Sequence, residues 1–77
     1  MSKHNIEQCV RDSLDSYFRD LDGAHPHGVY EMVVSVVEKP LLEFVLHKAD
    51  GNQSLAAEYL GINRNTLRKK LQQHGLL

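Results

Sequence analysis

The chain has 77 residues, of which 42% are hydrophobic, and a formal net charge of −1. This length allows one domain with a small core, and domains of this size are commonly stabilised by oligomerisation. One cysteine excludes an internal disulfide, and no stretch approaches the ~20 apolar residues that span a bilayer, so disulfide-rich and membrane-spanning classes are excluded.

The first predicted helix covers residues 6–21 and follows a polar start that we expect to be frayed. Its apolar residues recur every three or four positions and form one stripe of a helix: Ile6, Val10, Leu14, Phe18 and Leu21. Cys9 lies among these positions and is expected to be a small buried hydrophobe, not a reactive thiol. Residues 22–28 form a loop, because two glycines and a proline stop the helix.

The next predicted helix covers residues 28–48 and is apolar on most of its sides. Twelve of the eighteen residues 29–46 are apolar, so the helix must be buried on most sides. The remaining helices are too small to cover it, and we expect a second copy of the chain to do so, in an intertwined homodimer with a four-helix core. Pro40 is expected to kink this helix near residues 36–40. A valine-rich strand over residues 33–37 is the alternative by propensity.

Two short helices joined by a tight turn are predicted in the last third of the chain, over residues 53–60 and 64–73. Asn52 and Asn63 are suited to cap these helices, and Gly61 can adopt the left-handed conformation that ends the first. This pattern is typical of a helix-turn-helix, whose second helix enters the major groove with its N-terminal residues at base edges. An ordinary helical hairpin with a solvated basic face is the alternative interpretation.

Charge is distributed unevenly along the chain. Residues 1–49 hold five Lys or Arg and eight Asp or Glu, a net −3, whereas residues 50–77 hold four and two, a net +2. The positive charge therefore lies in the segment with the helix-turn-helix pattern, as expected of a DNA-binding end. Leu67 and Leu71 are four residues apart and are predicted to face inward, which leaves the other faces of the last helix polar and basic.

Several segments resemble the Fis family of bacterial nucleoid proteins: Gly51-Asn52-Gln53-Ser54, Ala56-Ala57, Leu60-Gly61-Ile62-Asn63-Arg64 and Thr66-Leu67-Arg68-Lys69-Lys70-Leu71. The resemblance extends upstream through Glu38-Lys39-Pro40-Leu41-Leu42 and Tyr30-Glu31-Met32-Val33 to Tyr17-Phe18. It therefore covers nearly the whole chain. Related helix-turn-helices end the NtrC-type transcriptional activators.

The resemblance implies an all-α homodimer with one domain over residues 1–77, in which residues 6–49 form the dimerisation helices and residues 50–77 bind DNA. Such a protein regulates transcription in the nucleoid of the bacterial cytoplasm and binds double-stranded DNA with loose sequence preference. Its two recognition helices lie closer together than one turn of straight B-DNA, so the duplex must bend. Base-edge readers are expected at Asn63, Arg64 and Lys69, and phosphate contacts at Asn52, Ser54, Thr66, Arg68 and Lys70.

The expected partners are DNA, a second copy of the chain and RNA polymerase. Members of the family with a longer N-terminal arm use it to contact recombinases; here the first helix begins almost at Met1, which argues against that contact. The five histidines are expected at the surface, without ligands at zinc-like spacing, and we expect no metal, cofactor or catalytic residue. Two other functions stay open: a detached C-terminal domain of an NtrC-type activator, and a dimeric adaptor that binds protein instead of DNA.

Overall fold

The computed structural model describes residues 2–77, which form four α-helices: α1 (Lys3–Asp20), α2 (Val29–Lys48), α3 (Gln53–Leu60) and α4 (Arg64–Gln73). These described residues contain no strand, so the all-α fold class is confirmed and the strand alternative for residues 33–37 is wrong. The bounds of α3 and α4 are those predicted. None of the helices within residues 2–77 combines the length and the apolar composition needed to span a bilayer.

α1 begins earlier than predicted because a residue of the segment expected to be frayed caps it. The Oγ of Ser2 accepts a hydrogen bond from the backbone N–H of Asn5 at 3.3 Å. Such a cap satisfies one of the N–H groups that a helix start leaves free. Near the other end of α1, Arg19 pairs with Asp15 at 2.9 Å, one turn before it.

α1 lies against α2 along a shallow groove of about 360 Å³, whose lining includes Val10, Leu14 and Tyr17. No residue of α1 is buried within the single chain. Cys9 lines this groove but is exposed, so the prediction that it is buried is wrong for the single chain. Phe18, which was predicted to lie on the apolar stripe, is 48% exposed. Only part of the apolar stripe of α1 therefore lines the groove against α2.

The hydrophobic core lies where α2, α3 and α4 meet. Its buried residues come from all three helices and from the turn after α2: Leu42, Ala49, Ala56, Ala57, Leu67 and Leu71. The inward positions of Leu67 and Leu71 are thus confirmed. Tyr59 is 60% exposed, although it is a large aromatic residue within α3. The buried direction of α3 lies between Ala56 and Ala57, and Tyr59 is roughly 110° from it at 3.6 residues per turn.

α2 continues without interruption through Pro40 for 20 residues, and the kink near residues 36–40 stays a prediction. It starts after Gly28, whose φ of 61° is left-handed. Leu42 is the only residue of α2 that is buried within the chain, although most of the helix is apolar. The other apolar side chains of α2 are half-buried or exposed.

Candidate nucleic-acid interface

The start of α3 is fixed by a turn and a side-chain cap. Asp50 and Gly51 both have left-handed backbones, with φ of 54° and 79°. The Oδ1 of Asn52 then accepts a hydrogen bond from the N–H of Leu55 at 3.1 Å. This bond uses the side-chain carbonyl, so the amide NH₂ of Asn52 is a donor beyond the cap. Ser54 lies exposed in the first turn of α3, where free backbone N–H groups favour anions.

The turn between α3 and α4 is built from a glycine, a half-buried isoleucine and a second asparagine cap. Gly61 has a φ of 72°, and the N–H of Ile62 donates to the carbonyl of Ala57 at 3.1 Å. The Oδ1 of Asn63 accepts from the N–H of Asn65 at 2.7 Å. Local capping chemistry therefore sets both the end of α3 and the start of α4.

Seven of the eight residues predicted to contact DNA are exposed: Asn52, Ser54, Asn63, Arg64, Thr66, Arg68 and Lys69. On α4, Leu67 and Leu71 are buried, so the remaining faces of the helix point away from the core. Arg64 and Arg68 are four residues apart and are neighbours on the same side of α4. No acidic residue occurs from residue 61 to residue 77, so this exposed surface of α4 is positively charged.

Lys70, the eighth predicted residue, is placed differently. Its Nζ donates to the Oε2 of Glu38 on α2 at 2.8 Å, and its side chain is 34% exposed. The other carboxylate oxygen of Glu38 lies 2.9 Å from the Nε2 of His74. We call these three residues the Glu38 cluster. The side chain of His74 is only 10% exposed, so the prediction that all histidines lie at the surface is wrong for this one.

The Glu38 carboxyl is held in its charged form by its two partners. The hydrogen bonds from Lys70, with the larger effect, and from His74 lower the pKa of Glu38 below its ordinary value of 4.5. Partial burial of the carboxyl acts in the opposite direction. The sequence carried a signal for this role that the prediction missed. Glu38 lies four residues before the buried Leu42, which places an acid on the side of α2 that faces the core.

A capped α3, a left-handed glycine turn and an α4 with exposed arginines at its start define a helix-turn-helix domain. A family model described as bacterial regulatory protein, Fis family, matches residues 33–74. A Fis-like DNA-binding protein of Ralstonia nicotianae is 69% identical over 77 residues, which is the full length of both chains.

Two more distant relatives extend the comparison. A Fis-like DNA-binding protein of Neisseria meningitidis serogroup A is 60% identical over 73 residues, covering 95% of this chain and 92% of that protein. The DNA-binding protein Fis of Glaesserella parasuis is 47% identical over 74 residues, covering 96% of this chain and 71% of the relative. The chain therefore belongs to the Fis family.

Proposed function

We propose that this chain is a DNA-binding and DNA-bending homodimer, a nucleoid-associated regulator of transcription in the bacterial cytoplasm with loose sequence preference. The observation that carries the proposal is the exposed, acid-free surface of α4 on a capped helix-turn-helix. Relatives that match over nearly the whole chain are named DNA-binding proteins, which supports the same function. Residues 50–77 form the DNA-binding part and residues 6–49 the dimerisation helices.

Base reading is assigned to the start of α4. Arg64 has a guanidinium fork that fits the O6 and N7 atoms of guanine together, and Asn63 and Lys69 complete the base-edge set. The phosphate contacts are assigned to Asn52, Ser54, Thr66 and Arg68, which are exposed on the same helix-turn-helix. Phosphate contacts position the protein on the duplex and make binding salt-dependent, whereas base contacts set the sequence preference.

The homodimer is supported by the apolar surface that a single chain leaves uncovered. On α2, Val36 is 67% exposed, Phe44 63% and Leu41 48%, and on α1 Ile6 is 51% exposed. Monomeric proteins rarely expose contiguous apolar patches of this kind. A second copy of the chain offers the same apolar surface in return, and isologous two-fold interfaces bury one patch against its own copy. The two copies of α2 therefore form the centre of the proposed dimer, with α1 packed over them.

DNA bending follows from the spacing that such a dimer imposes on its recognition helices. Straight B-DNA places equivalent major-groove edges ~34 Å apart. A dimer with a shorter reach engages both half-sites only when the duplex curves towards it and its central minor groove narrows. Bending a short site by 40–90° costs on the order of 1–6 kcal/mol, and that cost depends on the sequence being bent. RNA polymerase is the further partner proposed for a regulator of this kind.

The base-reading role is tested by Arg64→Ala, with Arg19→Ala on α1 as the matched control. Titration of the dimer against a preferred site and a scrambled duplex should show that Arg64→Ala costs about 1–3 kcal/mol on the preferred site and flattens the preference at one symmetric base pair. Arg19 is exposed on α1, where it pairs with Asp15 of the same helix. Its loss should therefore leave DNA binding unchanged. A wild-type protein without salt-sensitive binding to any duplex would favour the adaptor function instead.

Bending is tested on base pairs at the centre of the site, which the protein does not contact. Replacing central A·T pairs with G·C should lower affinity, because the guanine amino group resists compression of the minor groove. Inosine lacks that amino group and should restore affinity. A circular-permutation gel assay on the same series measures the bend. Uniform mobility of the permuted fragments, or no recovery with inosine, would contradict this part of the proposal.

A further inference from the structure

The carboxylate of Glu38, on α2, contacts the C-terminal end of α4 and its C-cap residue. Its Oε2 accepts a hydrogen bond from the Nζ of Lys70 at 2.8 Å, and its Oε1 lies 2.9 Å from the Nε2 of His74. Lys70 and the C-cap residue His74 are four residues apart, so both lie on the same side at the end of α4. One side chain of α2 thus contacts both the last turn of α4 and its C-cap residue through separate oxygen atoms.

Lys70 differs in this respect from the neighbouring cations of α4. Arg68 and Lys69 are exposed, whereas Lys70 is half-buried and already paired with an acid. The side chain of Glu38 is only 17% exposed. If Lys70 turned to a phosphate, the Glu38 carboxylate would lose a partner in a largely buried place, which is unfavourable. The pair also has no net charge to offer to DNA.

We propose that Glu38 and Lys70 are positioning residues: their ion pair fixes the orientation of α4 on α2, and Lys70 neutralises no phosphate. The inference rests on the proposed function and deepens it. If the two copies of α2 form the dimer centre, the orientation of α4 on α2 sets the distance between the two copies of Arg64. That distance in turn determines how well both half-sites are read and how far the DNA bends.

The test compares the salt dependence of DNA binding in full-length variants. The slope of log K against log salt is negative for a DNA-binding protein. Arg68→Met should make it shallower by about 0.9 for each phosphate that Arg68 neutralises. Lys70→Met should leave that slope unchanged but reduce the affinity ratio between the preferred site and a scrambled duplex by about fivefold to tenfold, comparable to the effect of removing one base-reading side chain. Lys70→Arg retains a cation for Glu38 and should restore the ratio.

Glu38→Gln should change the salt slope in the direction opposite to Arg68→Met. Freeing the ammonium of Lys70 should steepen the slope by about 0.9 per Lys70 that then reaches a phosphate, while the affinity ratio falls. Glu43→Gln is the matched control, since Glu43 is an exposed glutamate on the same helix outside the Glu38 cluster. Circular dichroism checks the folding of each variant. Should Glu38→Gln not fold, Lys70→Met and Lys70→Arg still provide the comparison.

Two results overturn the inference and are distinguishable from each other. If Lys70→Met makes the slope shallower by as much as Arg68→Met does and keeps the affinity ratio, Lys70 is a phosphate contact and only the positioning role is wrong. If the wild type binds no duplex at any salt concentration, the proposed function fails and the positioning role for DNA reading fails with it.

Discussion

The uncovered apolar surface of α2 gives a sharp prediction for Val36→Asp. Val36 is 67% exposed in the single chain, and exposed substitutions away from special features usually change the free energy of unfolding by less than about 0.5 kcal/mol. In the proposed dimer both copies of Val36 are buried at the interface. Removing two buried valines costs at least about 3 kcal/mol per dimer, before the unpaired carboxylates are counted.

A loss of about 3 kcal/mol corresponds to a rise of more than about a hundredfold in the dimer dissociation constant. Sedimentation, combined with thermal unfolding over a range of protein concentrations, measures it. The wild type should show a melting temperature that rises with concentration, and Val36→Asp should lose both dimer and cooperative unfolding. Tyr59→Asp is the matched control: Tyr59 is 60% exposed on α3, and its substitution should cost about 1 kcal/mol or less.

A wild type that stays a folded monomer at micromolar concentration would refute the reasoning, as would Val36→Asp with an unchanged melting temperature. Substitution of Leu42 would be less informative. Leu42 is 2% exposed within the single chain, so an aspartate there should unfold monomer and dimer alike.

Two further predictions concern stability. Leu71→Ala should lower the free energy of unfolding by about 2–5 kcal/mol, because Leu71 is fully buried, whereas Leu77→Ala, at 56% exposure, should stay within about 0.5 kcal/mol; urea unfolding measures both. The pKa of Glu38 is lowered in the folded chain, so the unfolded chain binds more protons at this group. The stabilising contribution of Glu38 is therefore fully present above the ordinary pKa value of 4.5. It is lost as the pH falls through the lowered pKa of the folded chain. Thermal unfolding between neutral and acid pH should therefore show a steeper loss for the wild type than for Glu38→Gln, and equal losses would contradict the role of the Glu38 cluster.

The helix-turn-helix was predictable from the sequence to the residue because its boundaries depend on local chemistry. Asn52 and Asn63 cap the helices through bonds to backbone groups two or three residues away. Gly61 ends α3 through its own left-handed backbone. None of these features requires knowledge of a distant part of the chain. The start of α1 was missed for a related reason: Ser2 offers the same kind of cap, but the polar residues around it were interpreted as a frayed end.

The Glu38 cluster was not predictable in the same way, because its bonds join residues 32 and 36 positions apart. From the sequence, Lys70 is one of three consecutive cations on α4, and nothing local separates it from Arg68 or Lys69. The separation depends on which side of α4 faces α2. Leu67 and Leu71 determine that side, and Lys70, adjacent to Leu71, lies at its edge, within reach of an acid that α2 places one turn before Leu42.

The two halves of the chain differ in how far their apolar side chains are buried within one copy. Small and branched side chains of the helix-turn-helix close a core within one copy, together with Leu42 of α2, and Ala56, Leu67 and Leu71 are at most 1% exposed. In α1 and α2 the same helical periodicity leaves Phe18 and Val36 open to water. A pattern of apolar residues at helical spacing specifies burial but not the partner that provides it. In the proposed dimer the second copy provides it for α1 and α2, while the Glu38 cluster joins that shared part to the recognition helix that each copy folds alone.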